Sequence, residues 1–236
     1  MRNIITRLSS FFSVVAVVMM VMCGSVKAQT ITVGSTTDNS TYTYPFNCFY
    51  KNSWQEMIFT QAEMASAAGC NITKIAFHDA SGTGSTYTVT AATIKIYMGE
   101  RTTASHSSSS DWTPIGDLSL VYSGTNVTLG NQASGNWQTF TLTTPFSYTG
   151  AGNLVVVVAK TNTGDYNSSC TWYYQTSVTG SEYPTLYRQS DSDNTYGTTH
   201  PGTSTGSQMS ARANTRFTYS GCCSVQRTGT FEFRDA

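Results

Sequence analysis

The chain has 236 residues, and its 13 basic and 13 acidic side chains make it 11% charged, against about 25% in an average soluble domain. Hydrophobic residues make up 39% and aromatics 12%, so Ser, Thr, Asn, Gly and Tyr fill the place of the missing charge. That balance excludes a basic nucleic-acid binder, a charge-rich disordered chain and a long coiled coil, and it leaves a neutral, Thr- and Tyr-rich all-β protein of the secreted type.

Residues 1–28 read as an address. Arg2 and Arg7 precede the apolar run from Phe11 to Met22, and Val26-Lys27-Ala28 has the small-x-small form of a secretory cleavage site. The run falls short of the ~20 residues that span a bilayer, so no transmembrane segment is expected in the mature chain. Cys23 offers an alternative, anchoring as a lipoprotein at the outer surface, against which stands the bulky Met22 before it. Cleavage after Ala28 removes Arg2, Arg7 and Lys27 and leaves a mildly acidic body, a further argument against nucleic acid and anionic membrane as partners.

Five cysteines then remain: Cys48, Cys70, Cys170, Cys222 and Cys223. In a secreted chain they are read as disulfide formers, but five is odd, so one is left over, and sequence cannot choose the pairing. The adjacent Cys222 and Cys223 are poorly placed to bridge each other. His78, His106 and His200 are scattered, without the paired spacing of a zinc site.

The body reads as strands separated by polar turns. Ile31–Val33 opens the series, and Trp54–Thr60 follows as a strand. Gln61–Ala68 breaks the pattern, being rich in Ala, Glu and Met, and predicts about two helical turns stopped by Gly69. Asn71–His78 alternates, with Ile72, Ile75 and Phe77 as core candidates; Thr93–Met98 alternates more cleanly; Leu118–Tyr122 and Trp137–Leu142 continue the series. Pro145-Phe146 reads as a strand start, and Tyr148–Asn153 as a turn. Leu154–Ala159 is a continuous apolar run of strand length, expected to lie centrally and to be buried on both faces. Thr171–Gln175 and Arg216–Tyr219 complete the set. The stretches 99–112 and 189–213 read as long loops, a length that suggests function or mobility. The expected architecture is an all-β, antiparallel, jelly-roll-like β-sandwich over residues 29–220 with one short helix near 61–68, and residues 221–236 as a tail or the start of a following domain.

An ordered series of short pieces resembles a module at the start of secreted cell-surface proteins of Bacteroidetes-type bacteria. The pieces are Tyr44-Pro45-Phe46, Lys51-Asn52-Ser53, Gln55–Phe59, Ala62-Glu63-Met64, Ile72–Phe77, Ile96–Gly99, Asp111–Pro114, Trp137, Pro145–Gly150 and Asn153–Val156. The resemblance implies a jelly-roll-like sandwich akin to adhesin and galactose-binding-like modules, often placed before fibronectin type III repeats. It implies no catalytic residues.

The chemistry-bearing residues agree with a binding role. Glu56, Glu63, Glu100, Asp111, Asp117, Asp165 and Glu182 could in principle supply a glycosidase pair, but none stands in a signature, and no nucleophile elbow or zincin motif occurs. No cofactor is expected. Calcium is the one metal for which loops offer oxygen ligands, at Asp165 and Asp191-Ser192-Asp193-Asn194. Aromatics are more telling. Trp172-Tyr173-Tyr174 must send neighbouring rings to opposite faces of a strand, Trp112 falls in a long loop, and Tyr187 adjoins Arg188. Trp112, Trp172, Tyr173, Tyr187 and Arg188 are therefore the candidate ligand-binding set, while the alternative is that Trp137 and Trp172 simply pack in the core. The leading expectation is a secreted or surface-exposed, non-catalytic module that binds carbohydrate or a protein. The alternatives are a structural spacer in a larger surface protein and a glycoside hydrolase accessory domain.

Overall fold

The computed structural model describes residues 27–34, 39–41, 43–84, 88–130, 136–161, 167–176, 178–192 and 194–222. Most of the expected leader, Cys23 included, lies outside the described residues, as do Cys223 and the remainder of the tail. The described strands are β1 Gln29–Val33, β2 Ser40–Thr41, β3 Asn52–Phe59, β4 Cys70–His78, β5 Thr88–Arg101, β6 Leu118–Gly130, β7 Trp137–Tyr148, β8 Asn153–Thr161, β9 Trp172–Thr176, β10 Thr185–Ser190, β11 Ser207–Met209, β12 Ala211–Ala213 and β13 Thr215–Ser220.

They form an all-β antiparallel sandwich. One sheet has the order β1-β13-β4-β7, the other β11-β10-β3-β8-β5-β6, and a small sheet β12-β9-β2 flanks them. Between β3 and β8 the chain crosses from one main sheet to the other four times, at β3–β4, β4–β5, β6–β7 and β7–β8, while β3 pairs with β8, β4 with β7 and β5 with β6. This nested pairing across the two sheets is the jelly-roll-like wrap. The edge strands β6 and β7 lie alongside each other and are tied by the Gln138 amide, which donates to the Thr128 carbonyl at 2.7 Å.

Alternation places the core. The inner rows of the six-stranded sheet (Met57, Phe59, Ile94, Ile96, Met98, Leu154, Val156, Val158) meet Ile72, Ile75, Phe77, Phe140, Leu142 and Phe217 of the four-stranded sheet. The odd spacing from Ile72 to Ile75 is taken up by a bulge in β4 against β13, where Thr73 is the extra residue, so both keep facing inward. As its apolar run requires, β8 is central, and every residue from Asn153 to Lys160 is buried. Its second face is covered too: Trp54, Val155, Val157, Ala159 and Leu186 form a separate apolar layer with Trp112, which comes from a loop.

Three expectations need correction. Gln61–Ala68 makes turns and only a short 3-10 segment at Ala65–Ala67. Glu63 does begin a helical turn, accepting from the Thr60 N–H at 2.8 Å and hydroxyl at 3.0 Å. Its carboxylate is then held by the buried Arg212 of β12 at 2.7 Å, and Ala68 is already extended to enter β4. Pro145-Phe146 lies within the second half of β7 rather than at a strand start, with Pro145 exposed on an edge strand that can spare its missing N–H. Residues 189–213 are not one long loop, because the end of β10, all of β11 and all of β12 fall within them.

Candidate functional site

The structure separates the predicted site residues. Trp172 is fully buried among Phe46 and Phe77, its ring 4.9 Å from that of Phe46 and its Nε1–H donating to Cys48 Sγ at 3.4 Å. Trp112 is 6% exposed, and its Nε1–H donates to the Ser204 carbonyl at 2.8 Å. Neither indole offers a face to a ligand, which corrects their place in the binding set. The physical reason is the same for both: a large apolar ring gains more by filling a seam between layers than it does in water. Tyr187 and Arg188 are half-buried and line a shallow groove of about 290 Å³ with Gln189, Thr205, Gly206 and Ser207. Their side chains leave β10 on opposite faces, Tyr187 opposite Gln55 and Arg188 opposite Trp54, so they do not act as one patch. Asp191 accepts the Lys51 N–H at 3.0 Å. Asp165 and Asp193 of the suggested calcium loop lie outside the described residues. Among the described residues no three His, Cys, Asp or Glu side chains converge as a metal site.

A charge cluster lies on the outer face of the six-stranded sheet, beneath the loops 102–114 and 198–206. Glu56 of β3 is fully buried, and both its oxygens accept from the Thr113 N–H at 3.1 Å. Arg101, at the end of β5, reaches Glu56 at 3.5 Å and Asp111 at 2.9 Å. Asp111 also accepts from the Ser107 N–H at 2.7 Å, and His106 Nδ1–H donates to the Asp111 carbonyl at 2.9 Å. Burial pushes Glu56 up to about 7 despite its bonds to Thr113 and the nearby Arg101. Burial also takes His106 down to about 4, with the Arg101 charge acting in the same direction. Burial acts against ionisation of Asp111 as well, but the Ser107 N–H and the Arg101 guanidinium hold its carboxyl below the usual range. The two loops are joined by His200 Nε2–H, which donates to the Thr113 carbonyl at 2.7 Å, and by Gly206 N–H, which donates to the Ser109 carbonyl at 2.6 Å. A carboxyl near neutrality is a familiar mark of an acid catalyst. Here its oxygens are occupied and it has no exposed surface, so its chemistry is to anchor a loop. A groove of about 350 Å³ runs outside it, lined by Arg101, Asp111 and the edge of Trp112.

The exposed aromatic surface is elsewhere, on the outer face of the four-stranded sheet. Trp137 opens β7 opposite His78 of β4, and their rings stack at 4.5 Å and 4°. Tyr173 of β9 meets the same imidazole at 4.7 Å, and the Arg216 guanidinium of β13 lies 4.1 Å over the indole of Trp137. Trp137 and Tyr173 are half-buried. Thr139 and Thr141 of β7, Lys74 of β4, Thr218 of β13 and Thr32 of β1 project on this face. No Asp or Glu occurs in β1, β4, β7 or β13. The alternative that packs Trp137 in the core with Trp172 fails for Trp137, and the signal against it was present in the sequence. In W-Q-T-F-T-L, Trp137 shares its parity with Thr139 and Thr141, whereas Gln138, Phe140 and Leu142 point inward. Of the predicted set, only Tyr173 belongs to this patch. Nothing in the sequence near His78 or Arg216 announced their part.

No protein-family model matches the chain, and no curated protein matches it. A solved structure, that of the cysteine protease and lectin-like domains of Cwp84, a surface-layer-associated protein of Clostridium difficile, is similar at 12% identity and a TM-score of 0.37. The match covers 72% of this chain and 32% of that one. A likeness this loose has no bearing on function.

Proposed function

We propose that the chain is a non-catalytic binding module, displayed outside the cell, that engages a glycan through the outer face of its four-stranded sheet. The observation that carries this reading is the pair of half-exposed rings Trp137 and Tyr173, both packed on the buried His78, on a face of threonine hydroxyls and two basic residues. Indole and phenol rings offer a sugar apolar surface beside a polar edge, and hydroxyl, guanidinium and ammonium groups next to them bond its oxygens. The strands supply a rigid floor, so little ordering entropy is lost on binding. An extracellular setting is supported by the leader-like residues 1–28 and by the disulfide between Cys70 and Cys222. Among the described residues, no helix is long and apolar enough to cross a membrane. The sequence resemblance to surface modules of Bacteroidetes-type bacteria points the same way.

A glycan array that includes uronic-acid and sulfated sugars tests the reading. Binding is expected, and Trp137→Ala is expected to weaken it at least about tenfold, the loss of ~1.4 kcal/mol. Binding unaffected by Trp137→Ala and Tyr173→Ala would remove this face from consideration. No glycan bound at all would sink the glycan reading and leave the spacer role.

A further inference from the structure

Cys48 and Cys170 are free thiols, both fully buried, with their Sγ atoms 2.9 Å apart. Two unbonded sulfurs are crowded at that distance, and a bond at ~2.05 Å needs a closure of only about an ångström. The backbones around them are already joined: Asn167 N–H donates to the Cys48 carbonyl at 2.7 Å, and Cys170 N–H donates to the Asn167 carbonyl at 3.2 Å. Apart from each other, these sulfurs meet Trp172 Nε1 and the Ser81 side chain and feel the charges of Lys160 and Asp79, and among the described residues no metal-holding group includes either cysteine. We infer that Cys48 and Cys170 form a second disulfide in the oxidised protein, with Cys70–Cys222 as the first.

The electrons go to a disulfide-bearing oxidant, a small molecule or a thiol-disulfide oxidoreductase. One cysteine, as thiolate, attacks a sulfur of the oxidant, forms a mixed disulfide and expels the first thiol. The other then attacks that cysteine's sulfur and expels the second thiol. Two protein thiols lose two electrons and two protons, and one oxidant disulfide becomes two thiols. Complete burial places this exchange during folding, before Trp172 and Phe46 close over the sulfurs. The bridge would tie the turn before β3 to the start of β9, the strand that carries Tyr173, and it would do so whether or not that face binds a glycan. It also assigns the odd cysteine of residues 29–236: with both pairs closed, Cys223 is left.

The test is peptide mapping of the full chain, refolded with glutathione disulfide and blocked with an alkylating agent without reductant. The Cys70–Cys222 peptides serve as the internal sign that oxidation has occurred. A linked Cys48–Cys170 peptide pair, lighter by two hydrogens than the separate dithiol peptides and lost on reduction, is the expected result. Alkylated Cys48 and Cys170 beside an intact Cys70–Cys222 bridge would overturn the inference. So would either residue found linked to Cys223. As a second readout, chain refolded with reductant should show brighter Trp172 fluorescence than chain refolded with glutathione disulfide, a difference absent in Trp172→Phe; no difference between the two preparations counts against the bridge.

Discussion

Glu56 shows how a single carboxyl can be worth more as an anchor than as an acid. Its folded value of about 7 lies above the ordinary 4.5, so the folded state holds the proton more tightly than the unfolded one. The stability it contributes is complete below about pH 4.5 and is lost as pH rises through about 7, a change on the order of 3 kcal/mol. His106 has the opposite sense: its value of about 4 lies below the ordinary 6.5, so its contribution is present above about pH 6.5 and is lost as pH falls toward 4. Comparison with Glu56→Gln separates the two. Relative to that variant, the native chain is expected to be least stable at pH 8 and to gain steadily down to pH 4.5, by denaturant melts at each pH. The tryptophans divide at the same scale. Trp172→Ala empties a fully buried site and is expected to cost about 3–5 kcal/mol. Trp137→Ala removes a half-exposed ring and a cation–π contact, and about 1 kcal/mol is expected, so its effect on binding can be read in a folded protein.

At the scale of elements, the two loops over the six-stranded sheet behave as a third layer. Gly206 is where they close, since a Cβ there would lie 2.6 Å from the Trp112 ring and 2.8 Å from the Tyr187 carbonyl. Gly206→Ala is expected to lift the segment 198–206 and speed limited proteolysis there severalfold, with the four-stranded sheet unaffected. The turn 61–64 depends on a different contact. Arg212 has no exposed surface, and its charge is matched by Glu63 at 2.7 Å, with its plane 4.1 Å over Phe59. Glu63→Ala leaves that charge buried and alone and is expected to cost about 3–5 kcal/mol in a chemical melt. The helix expected here is cut short: Thr60 and Glu63 form the starting cap, but Arg212 and the entry into β4 allow the turn no further residues.

For the whole molecule, the Cys70–Cys222 bridge joins β4 to the segment just after β13, across a separation of 152 residues. Closing so long a loop restricts the unfolded chain, so Cys70→Ala with Cys222→Ala is expected to lose about 2–5 kcal/mol, seen as a lower midpoint in denaturant. The sequence by itself determined the all-β class, the central place of β8 and most inward-facing residues, because alternation and apolar runs are local properties of the chain. It left open the pairing of the cysteines, whose partners are 152 and, at the Cys48–Cys170 contact, 122 residues apart. Nor did it show that the loops cover β3 and β8, or that Trp112 and Trp172 turn inward while Trp137 turns out. Only the tertiary structure decided these, because which face of a strand meets water depends on what packs against it from distant parts of the chain.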